Sequence, residues 1–373
     1  MALATLLILL LAYTYAGYPI VVGMLAQMRE RTPPSPIPDG ALPEVTVCLP
    51  VYNGSQYLPA KLTSILEQDY PANKVEILVY LDGCTDDTQK VAESIAATPE
   101  AAGRVRVIAE PRRLGKPTGL NTLGPLAKGE FLLLNDVRQP LSRNAVRALV
   151  TAMSDPEVGC ATGNLILAGS AGSGVYWRYE NWIRRQESRF RGIVGMTGPI
   201  GMIRRADLKP LPTDLILDDV WIPMQLALAG KRTTFVTEAE AHDAAFENER
   251  EFQRKVRTLA GNYQIFSRIP ALLNPMTNPL WFETVSHKLC RLLAPWFMIL
   301  LFLLSLAGTR GDDKPDTGMF HFLFVIQVAF YLSAAAGKRA GKIGGLARTF
   351  VVLNTAAMLG LWRHITGRQR VTW

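Results

Sequence analysis

Apolar residues are concentrated at the two ends of the chain. Met1–Met28 carries no charged side chain, and about 20 apolar residues suffice to cross a bilayer, so residues 1–28 predict an N-terminal transmembrane helix. Three later apolar runs, at about 292–306, 319–336 and 346–362, predict a C-terminal transmembrane region over 292–362. A cleaved signal peptide explains the first run less well, because no basic segment precedes it and the run is too long.

Between these ends, short apolar runs alternate with stretches of helical periodicity. The runs Val45–Leu49, Val75–Tyr80 and Phe131–Leu134, together with the alternating stretch Arg104–Ile108, predict four strands with helices between them. This alternation is typical of an α/β fold with a doubly wound sheet. Phe131–Leu134 is apolar at every position, which favours a strand of a parallel sheet that is buried on both faces.

Polar side chains follow three of these strands. Asn53, Asp82 and Asp136 each come at or just after a strand end, and ligands of open α/β sheets bind past the carboxyl ends of the strands. A carboxylate at the position of Asp136 suits a divalent cation that bridges a diphosphate, since hard cations take oxygen ligands. The alternative from this stretch alone is that Asp136 caps the following turn.

Composition narrows the class of partner. The 373 residues carry a formal net charge of +8 and are 49% hydrophobic. Lysine and arginine are scattered rather than gathered into one tract, which argues against nucleic-acid binding, whereas a lipid bilayer and an anionic nucleotide substrate explain the excess charge. The four cysteines are widely spaced, which argues against a zinc site or a disulfide framework and fits a reducing cytosol.

Five signatures in order carry a resemblance to family-2 glycosyltransferases. They are Val47–Asn53, Asp82–Thr88, Gly115–Lys116 with Leu120–Asn121, Ala127–Glu130, and the strand that leads to Asp136. The chain resembles this family from about Val45 to Tyr263. The resemblance implies an inverting enzyme with a GT-A nucleotide-sugar fold over residues 45–270, flanked by the transmembrane helices.

The resemblance also implies a donor-binding set. Tyr52 would lie by the donor base, Asp82 would contact the base or ribose, and Lys116 would lie close to the diphosphate. Asp136 would be the first aspartate of the family's D-x-D, with Mg²⁺ or Mn²⁺ as the implied cofactor. The whole set is Pro50, Tyr52, Asn53, Asp82, Lys116 and Asp136.

The chain departs from the family pattern in two places. Arg138 replaces the second aspartate of D-x-D, so either Arg138 neutralises the diphosphate directly or the metal relies on Asp136 and water. The stretch after Gly115 is rich in proline and glycine, which predicts a broken or short helix. His242 is a weak candidate metal ligand, placed with Asp243 in a polar loop.

The acceptor half contains an acidic pair. The glycine-rich stretch 169–174 predicts a flexible connector between a donor half, 45–168, and an acceptor half, 175–270. By the resemblance, Asp219 is the general base and Asp218 its neighbour. Two carboxylates at a helix start are otherwise explained by capping.

A basic cluster follows the acidic pair at the place of the family's Q-x-x-R-W. Gln253 is present there, whereas Arg254 and Arg257 fall in a different frame from the motif and no tryptophan follows. A cationic cluster at this place would hold the departing diphosphate or flank the acceptor. A solvated helix face is the alternative interpretation.

The remaining segments concern the membrane. Residues 29–44 form a proline-rich linker, 279–294 an interfacial helix and 363–373 a basic tail. Arg29 and Arg31 favour a cytoplasmic catalytic domain in a multi-pass protein of the bacterial inner membrane.

The charges near the C-terminal runs conflict with one another. The basic residues between the last two runs, Lys338, Arg339 and Lys342, should be cytoplasmic. Three full crossings would place Arg363 and Arg368 outside, although arginine prefers the inside. Either one run is re-entrant or the rule is violated.

Taken together, the sequence predicts a membrane-embedded inverting glycosyltransferase. Its donor would be a nucleotide-sugar, with a UDP-sugar as the favoured type, and its acceptor a saccharide or a lipid-linked molecule in cell-surface or exopolysaccharide synthesis. Two alternatives are a transferase that adds one sugar to a lipid-phosphate carrier and a non-catalytic membrane scaffold that binds a nucleotide.

Overall fold

A computed structural model of the chain describes residues 1–29, 34–168, 173–244, 248–310 and 315–369. These residues form two compact units. The sheet unit comprises the described residues of Ala26–Ala245 and Arg268–Leu280, and the helical unit comprises those of Met1–Leu25, Phe246–Ser267 and Trp281–Gln369.

The sheet unit contains a seven-stranded mixed sheet with the order β3-β2-β1-β4-β6-β5-β7. Strands β1 to β4 run parallel, β6 runs antiparallel to both β4 and β5, and β7 runs parallel to β5. The four strands predicted from the apolar runs are therefore present. The strands are β1 Val45–Val51, β2 Val75–Asp82, β3 Val105–Glu110, β4 Phe131–Asn135, β5 Val158–Ala168, β6 Ile200–Arg204 and β7 Arg232–Ala244.

Every residue of β1 and β4 is buried, because helices cover the sheet and leave neither face to water. Leu62 and Ile65 of one helix and Val146 and Leu149 of another belong to the same core as these strands. The helices of the sheet unit are α3 Leu58–Leu66, α4 Thr88–Ala96, α5 Lys116–Leu126, α6 Ala145–Met153, α7 Ser173–Phe190 and α8 Asp218–Leu228.

The prediction of a broken helix after Gly115 is wrong. Helix α5 is continuous over eleven residues. Pro117 lies in its first turn, where the backbone N–H has no intrahelical partner to lose. Gly119 faces the Tyr80 ring so closely that an added Cβ would lie 2.8 Å from it. The glycine therefore lets α5 lie close to the sheet.

The placement of His242 and Asp243 in a polar loop is also wrong. Both residues belong to β7, where they pair with Ile166 and Leu167 of β5. The predicted connector 169–174 is shorter than expected, because α7 already begins at Ser173. Residues 169–172 lie outside the described residues, as do Glu30 and Arg31 of the linker.

The helical unit contains α1 Ala2–Ala12, α2 Tyr18–Gln27, α9 Asn248–Arg268, α10 Trp281–Glu283, α11 Cys290–Gly308, α12 Thr317–Ala336 and α13 Gly341–Ile365. Among the described residues, three helical segments are long and apolar enough to cross a membrane: Ala2–Gln27, Trp281–Gly308 and Thr317–Ile365. The interfacial helix predicted at 279–294 is not a separate element, since Trp281–Gly308 is one helical segment with a π-helical stretch at Thr284–Leu289.

Candidate active site

The sheet brings residues from both halves of the unit to one edge. The parallel strands β1, β2 and β4 end just before or at Tyr52, Asp82 and Asp136. Because β6 runs antiparallel to β4, with Ile200 opposite Asn135, the segment before β6 lies beside the end of β4. Gly198, in that segment, therefore comes close to Asp136.

Lys116 lies at the centre of a group of carboxylates. Its Nζ donates to Oδ1 of Asp136 at 2.8 Å and lies 3.0 Å from Oδ2 of Asp218. The contact with Asp218 is an ion pair without the geometry of a hydrogen bond. Burial lowers the pKa of Lys116, but the carboxylates, with Asp136 the strongest, outweigh burial and raise the pKa above its ordinary value. Lys116 is therefore an ammonium at neutral pH.

Asp219 faces a different space from its neighbour. Helix α8 begins at Asp218, as the sequence predicts, and Met196 N–H donates to the carbonyl of Asp219 at 2.7 Å. An added Cβ at Gly198 would lie 3.3 Å from Oδ2 of Asp219 and 3.8 Å from Oδ2 of Asp136. The two carboxylates thus border the same space, which the lack of a side chain at Gly198 keeps open.

Asp82 holds the loop that leads into α5. Its Oδ1 accepts the N–H of Leu114 at 2.7 Å, and its Oδ2 accepts the N–H of Gly115 at 2.9 Å. Gly115 has φ +92°, a conformation that favours glycine. The Asp82 side chain is almost fully buried and fixes the start of the helix that carries Lys116.

Tyr52 and Asn53 follow β1 and line the same edge. The guanidinium of Arg113 stacks over the Tyr52 ring, 3.6 Å from its centre. Asn53 has φ +45°, and its side-chain amide makes two hydrogen bonds to Thr85. Its Oδ1 accepts the Thr85 N–H at 2.8 Å, and its Nδ2 donates to Oγ1 of Thr85 at 3.0 Å. Pro50 is buried in β1 beneath α5, so it supports the site from below.

Arg138 is bound to β7. Its Nη2 donates to both oxygens of Asp243, at 2.7 and 3.0 Å, and Gln139 Nε2 donates to Oδ2 of Asp243 at 2.7 Å. The Asp243 side chain is 4% exposed and that of Arg138 is 31% exposed. The residue that replaces the second aspartate of D-x-D therefore ties the loop after β4 to β7, an edge strand of the sheet.

Lys61 also supports this loop. It is fully buried, and its Nζ donates to the carbonyl of Gln139 at 2.7 Å. Burial lowers its pKa to about 7, against the opposing charge of Asp136. No sequence signal marked Lys61, because its partner Gln139 is distant in the chain.

The donor set for a metal ion is small. The described residues contain no group of three or more His, Cys, Asp or Glu side chains that could hold a metal. His242 lies 3.5 Å from Glu240 and is about half exposed. Mg²⁺ is, however, often held by only one or two carboxylates together with substrate phosphates. Asp136 fits that pattern, because its Oδ2 faces Gly198 rather than Lys116.

The predicted basic cluster lies on α9, in the helical unit. Gln253 accepts a hydrogen bond from Nη2 of Arg363 at 2.7 Å. Arg254 and Arg257 are on the same helix. The part of these three residues in binding a diphosphate or an acceptor remains a prediction.

Comparison with known proteins assigns part of the sheet unit to a family. The family described as Glycosyl transferase family 2 matches residues 46–211. This part of the chain is a family 2 glycosyltransferase domain. The match covers β1 to β6 and ends shortly before the Asp218–Asp219 pair.

Two relatives extend the comparison of the family 2 domain. An N-acetylglucosaminyltransferase of Rhizobium meliloti (strain 1021) is 29% identical over 227 residues, which are 55% of this chain and 52% of the relative. Glycosyltransferase AglD of Haloferax volcanii is 30% identical over 143 residues, which are 38% of this chain and 22% of the relative. The chain thus spans about half or less of the length of these relatives.

One solved structure resembles the chain along nearly its whole length. Mannosyltransferase PcManGT from Pyrobaculum calidifontis, in complex with GDP-Man and Mn²⁺, has a TM-score of 0.76 at 22% identity, over 98% of this chain and 99% of that one. This likeness shows the fold. The family 2 domain has the GT-A fold that the sequence predicts.

Proposed function

We propose that the chain is a membrane-embedded inverting glycosyltransferase that moves a sugar from a nucleoside diphosphate to an acceptor hydroxyl. One observation carries the proposal: Lys116 pairs with Asp136 and Asp218, while Asp219 borders the space beside Gly198. A cation for the departing diphosphate and a carboxylate for the attacking hydroxyl are thus available at one edge of the sheet.

The reaction is a single displacement. The acceptor oxygen forms a bond to the anomeric carbon as the bond from that carbon to the diphosphate breaks, and the diphosphate leaves with the electron pair. Asp219 takes the proton of the acceptor hydroxyl. Asp218 is a weaker candidate for this role, because its carboxylate is paired with the Lys116 ammonium. Lys116 stabilises the charge that develops on the diphosphate.

Asp136 is the residue proposed to hold a divalent cation, Mg²⁺ or Mn²⁺, together with the diphosphate. The cation would act as a Lewis acid that neutralises the phosphate oxygens. Arg138 is not assigned to the diphosphate, because its guanidinium is hydrogen-bonded to Asp243.

The donor is proposed to be a UDP-sugar, with a GDP-sugar as the competitor to test. The names of the similar proteins include both N-acetylglucosaminyltransferases and a mannosyltransferase in complex with GDP-Man. Three apolar helical segments support insertion in a bacterial inner membrane with the catalytic domain in the cytoplasm. The acceptor is proposed to be a saccharide or a lipid-linked molecule.

Nucleotide release tests this function. The purified full chain is incubated with UDP-GlcNAc, UDP-glucose, UDP-galactose or GDP-mannose, with Mg²⁺, with Mn²⁺ or with a chelator, in the presence of membrane lipids and saccharide acceptors. We expect release of one nucleoside diphosphate above the rate without acceptor, and product sizing then separates a single-sugar product from a polymer.

The second candidate function is a membrane scaffold that binds a nucleotide without catalysis. It is favoured because Arg138 replaces the second aspartate of D-x-D and is paired with Asp243. It predicts that UDP or GDP binds in calorimetry while no donor is consumed. That result would overturn the proposed enzyme, whereas consumption of any donor with an acceptor would exclude the scaffold.

A further inference from the structure

Helix α13 has the length of a transmembrane helix but not the contacts of one. Its 25 residues correspond to about 37 Å, enough to cross a hydrocarbon core of about 30 Å. We propose, on the basis of the proposed membrane insertion, that α13 lies along the bilayer surface and that both of its ends contact the headgroups of the same leaflet. All the contacts that support this placement lie within the helical unit.

The two ends of α11 define two ends of the helical unit. The end near Leu292 is called the Leu292 end, and the end near Gly308 is called the Gly308 end. At the Gly308 end, an added Cβ on Gly308 would collide with the Phe320 ring of α12. Ser305 Oγ accepts a hydrogen bond from Gln327 at 2.9 Å, further along α12. Helices α11 and α12 are therefore antiparallel, and the last turn of α12 lies towards the Leu292 end.

The first helical segment is oriented by the same two ends. Near its start, Ala4 and Leu7 pack in a cluster with Leu301, Phe320 and Leu323, towards the Gly308 end. Further along, the Tyr13 hydroxyl lies 2.7 Å from Ser286 Oγ, and the Tyr18 ring packs on Phe282 and His287. Tyr13–Tyr18 is therefore at the Leu292 end.

The beginning of α13 lies at the Leu292 end. Gly337 and Gly341, both with positive φ, reverse the chain between α12 and α13. Gly344 then lies against the backbone of Ser333, in the last turn of α12: an added Cβ would be 3.1 Å from the Ser333 carbonyl and still closer to that of Gly337.

The middle of α13 lies at the same end. The Phe350 ring packs on Tyr15 with centroids 4.7 Å apart, and the Tyr15 hydroxyl lies 3.4 Å from the amide oxygen of Asn354. Tyr15 belongs to the Tyr13–Tyr18 stretch that contacts 282–287.

The last turns of α13 also lie at the Leu292 end. Gly360 packs on the backbone of Leu259 and Ala260, and the His364 ring stacks on Tyr263 with centroids 6.5 Å apart. Tyr263 in turn donates to the carbonyl of Leu292 at 3.0 Å. A spanning α13 would instead bring residues 360–364 beside Thr317–Phe320.

If α13 lies along the membrane surface, the positions of the basic residues no longer conflict with the number of membrane crossings. Lys338, Arg339 and Lys342 at the start of α13 and Arg363 and Arg368 at its end come to one side, as basic residues near the cytoplasmic leaflet do. Both ends of α13 also expose apolar side chains, Ile343 and Leu346 at the start and Trp362 and Ile365 at the end. Basic and apolar side chains together are typical of a helix in the membrane interface.

Cysteine labelling tests the proposal. Asp316→Cys, Ala340→Cys and Thr366→Cys are made separately in the full chain, at exposed positions at the Gly308 end and at the two ends of α13. The four native cysteines are buried or half-buried, so the unaltered chain is the blank. Cells that express each variant are treated with a membrane-impermeant maleimide before and after permeabilisation, and Lys338→Cys and Arg368→Cys serve as a second pair if a first variant elutes as an aggregate.

We expect Ala340→Cys and Thr366→Cys to label alike and Asp316→Cys to label from the opposite side. Labelling of Thr366→Cys from the same side as Asp316→Cys, with Ala340→Cys opposite, would show that α13 crosses and would overturn the proposal. Membrane insertion itself is tested separately by washing the membranes with alkaline carbonate. Release of the chain by that wash would overturn the proposed insertion.

Discussion

The guanidinium of Arg138 makes two hydrogen bonds to the carboxylate of Asp243, at 2.7 and 3.0 Å. This pair joins the loop after β4 to β7, and it engages the residue that the D-x-D comparison placed at the diphosphate. Arg138 therefore ties the loop that follows Asp136 to β7, and its contact with the diphosphate remains a prediction.

Replacement of Arg138 tests that role. Arg138→Ala leaves the buried Asp243 carboxylate with Gln139 but without a cation, so we expect the free energy of unfolding to fall by about 3 kcal/mol, measured by thermal or denaturant unfolding in detergent. Arg112→Ala is the matched control, since Arg112 pairs with Glu110 on the surface and should change stability by less than about 0.5 kcal/mol. Equal stability of the two variants, with weaker donor binding only in Arg138→Ala, would assign Arg138 to the diphosphate instead.

The two aspartates at the start of α8 are expected to differ in their effect on rate. Asp219→Asn removes the proposed proton acceptor and should lower the turnover number by about 10²- to 10⁴-fold, while the dissociation constant of the donor nucleotide stays within a factor of two or so. Asp87→Asn, at an exposed position, controls for the loss of a carboxylate. An unchanged turnover number in Asp219→Asn would remove Asp219 from this role.

Lys61 should make stability depend on pH in the alkaline range. Burial lowers its pKa to about 7 in the folded chain from an ordinary value of 10.5, so between these values the unfolded chain binds more protons. The free energy of unfolding contributed by this group therefore rises with pH from about 7 to about 10.5. Lys61→Met should flatten that rise in a series of melting temperatures.

Lys90→Met, at an exposed position, is the control for Lys61 and should keep the slope of the unaltered chain. A slope that is the same in Lys61→Met and in the unaltered chain would contradict the lowered pKa.

Asp82→Asn separates two roles for Asp82. An amide has one acceptor oxygen, so only one of the N–H groups of Leu114 and Gly115 would keep its partner, and we expect a loss of about 1–3 kcal/mol in stability. The affinity for the nucleotide should also fall, because Asp82 fixes the loop that immediately precedes Lys116. Full stability combined with lost UDP or GDP binding in calorimetry would show that Asp82 acts by contacting the nucleotide, as the family resemblance implies.

The sequence predicts the centre of the sheet and the start of α8, because these depend on local patterns. A largely apolar run marks β1 and a wholly apolar run marks the first four residues of β4, and the acidic pair marks the first turn of α8. The GT-A fold and the family are confirmed, and the structure brings Asp136, Lys116, Asp218 and Asp219 together.

Other features depend on long-range contacts that no local pattern reveals. β7 carries polar residues such as Glu240 and Asp243, and its pairing with β5 and the partner of Asp243 lie far away in the chain. The glycines in α5 weaken an isolated helix, yet Gly119 is needed where the Tyr80 ring comes close. Hydropathy likewise finds α13 but not its direction, which its contacts with Tyr15 and Tyr263 decide.

The contrast between Asp218 and Asp219 arises from helical phase. Successive residues of an α-helix project about 100° apart, which turns one carboxylate towards Lys116 and the next towards Gly198. One residue inserted between Asp219 and Val220, inside α8, would turn both aspartates by about 100° relative to the rest of the helix, so neither would keep its partner although both would still be present. The two side chains are chemically identical, and their positions in the helix determine which one contacts Lys116 and which one faces Gly198.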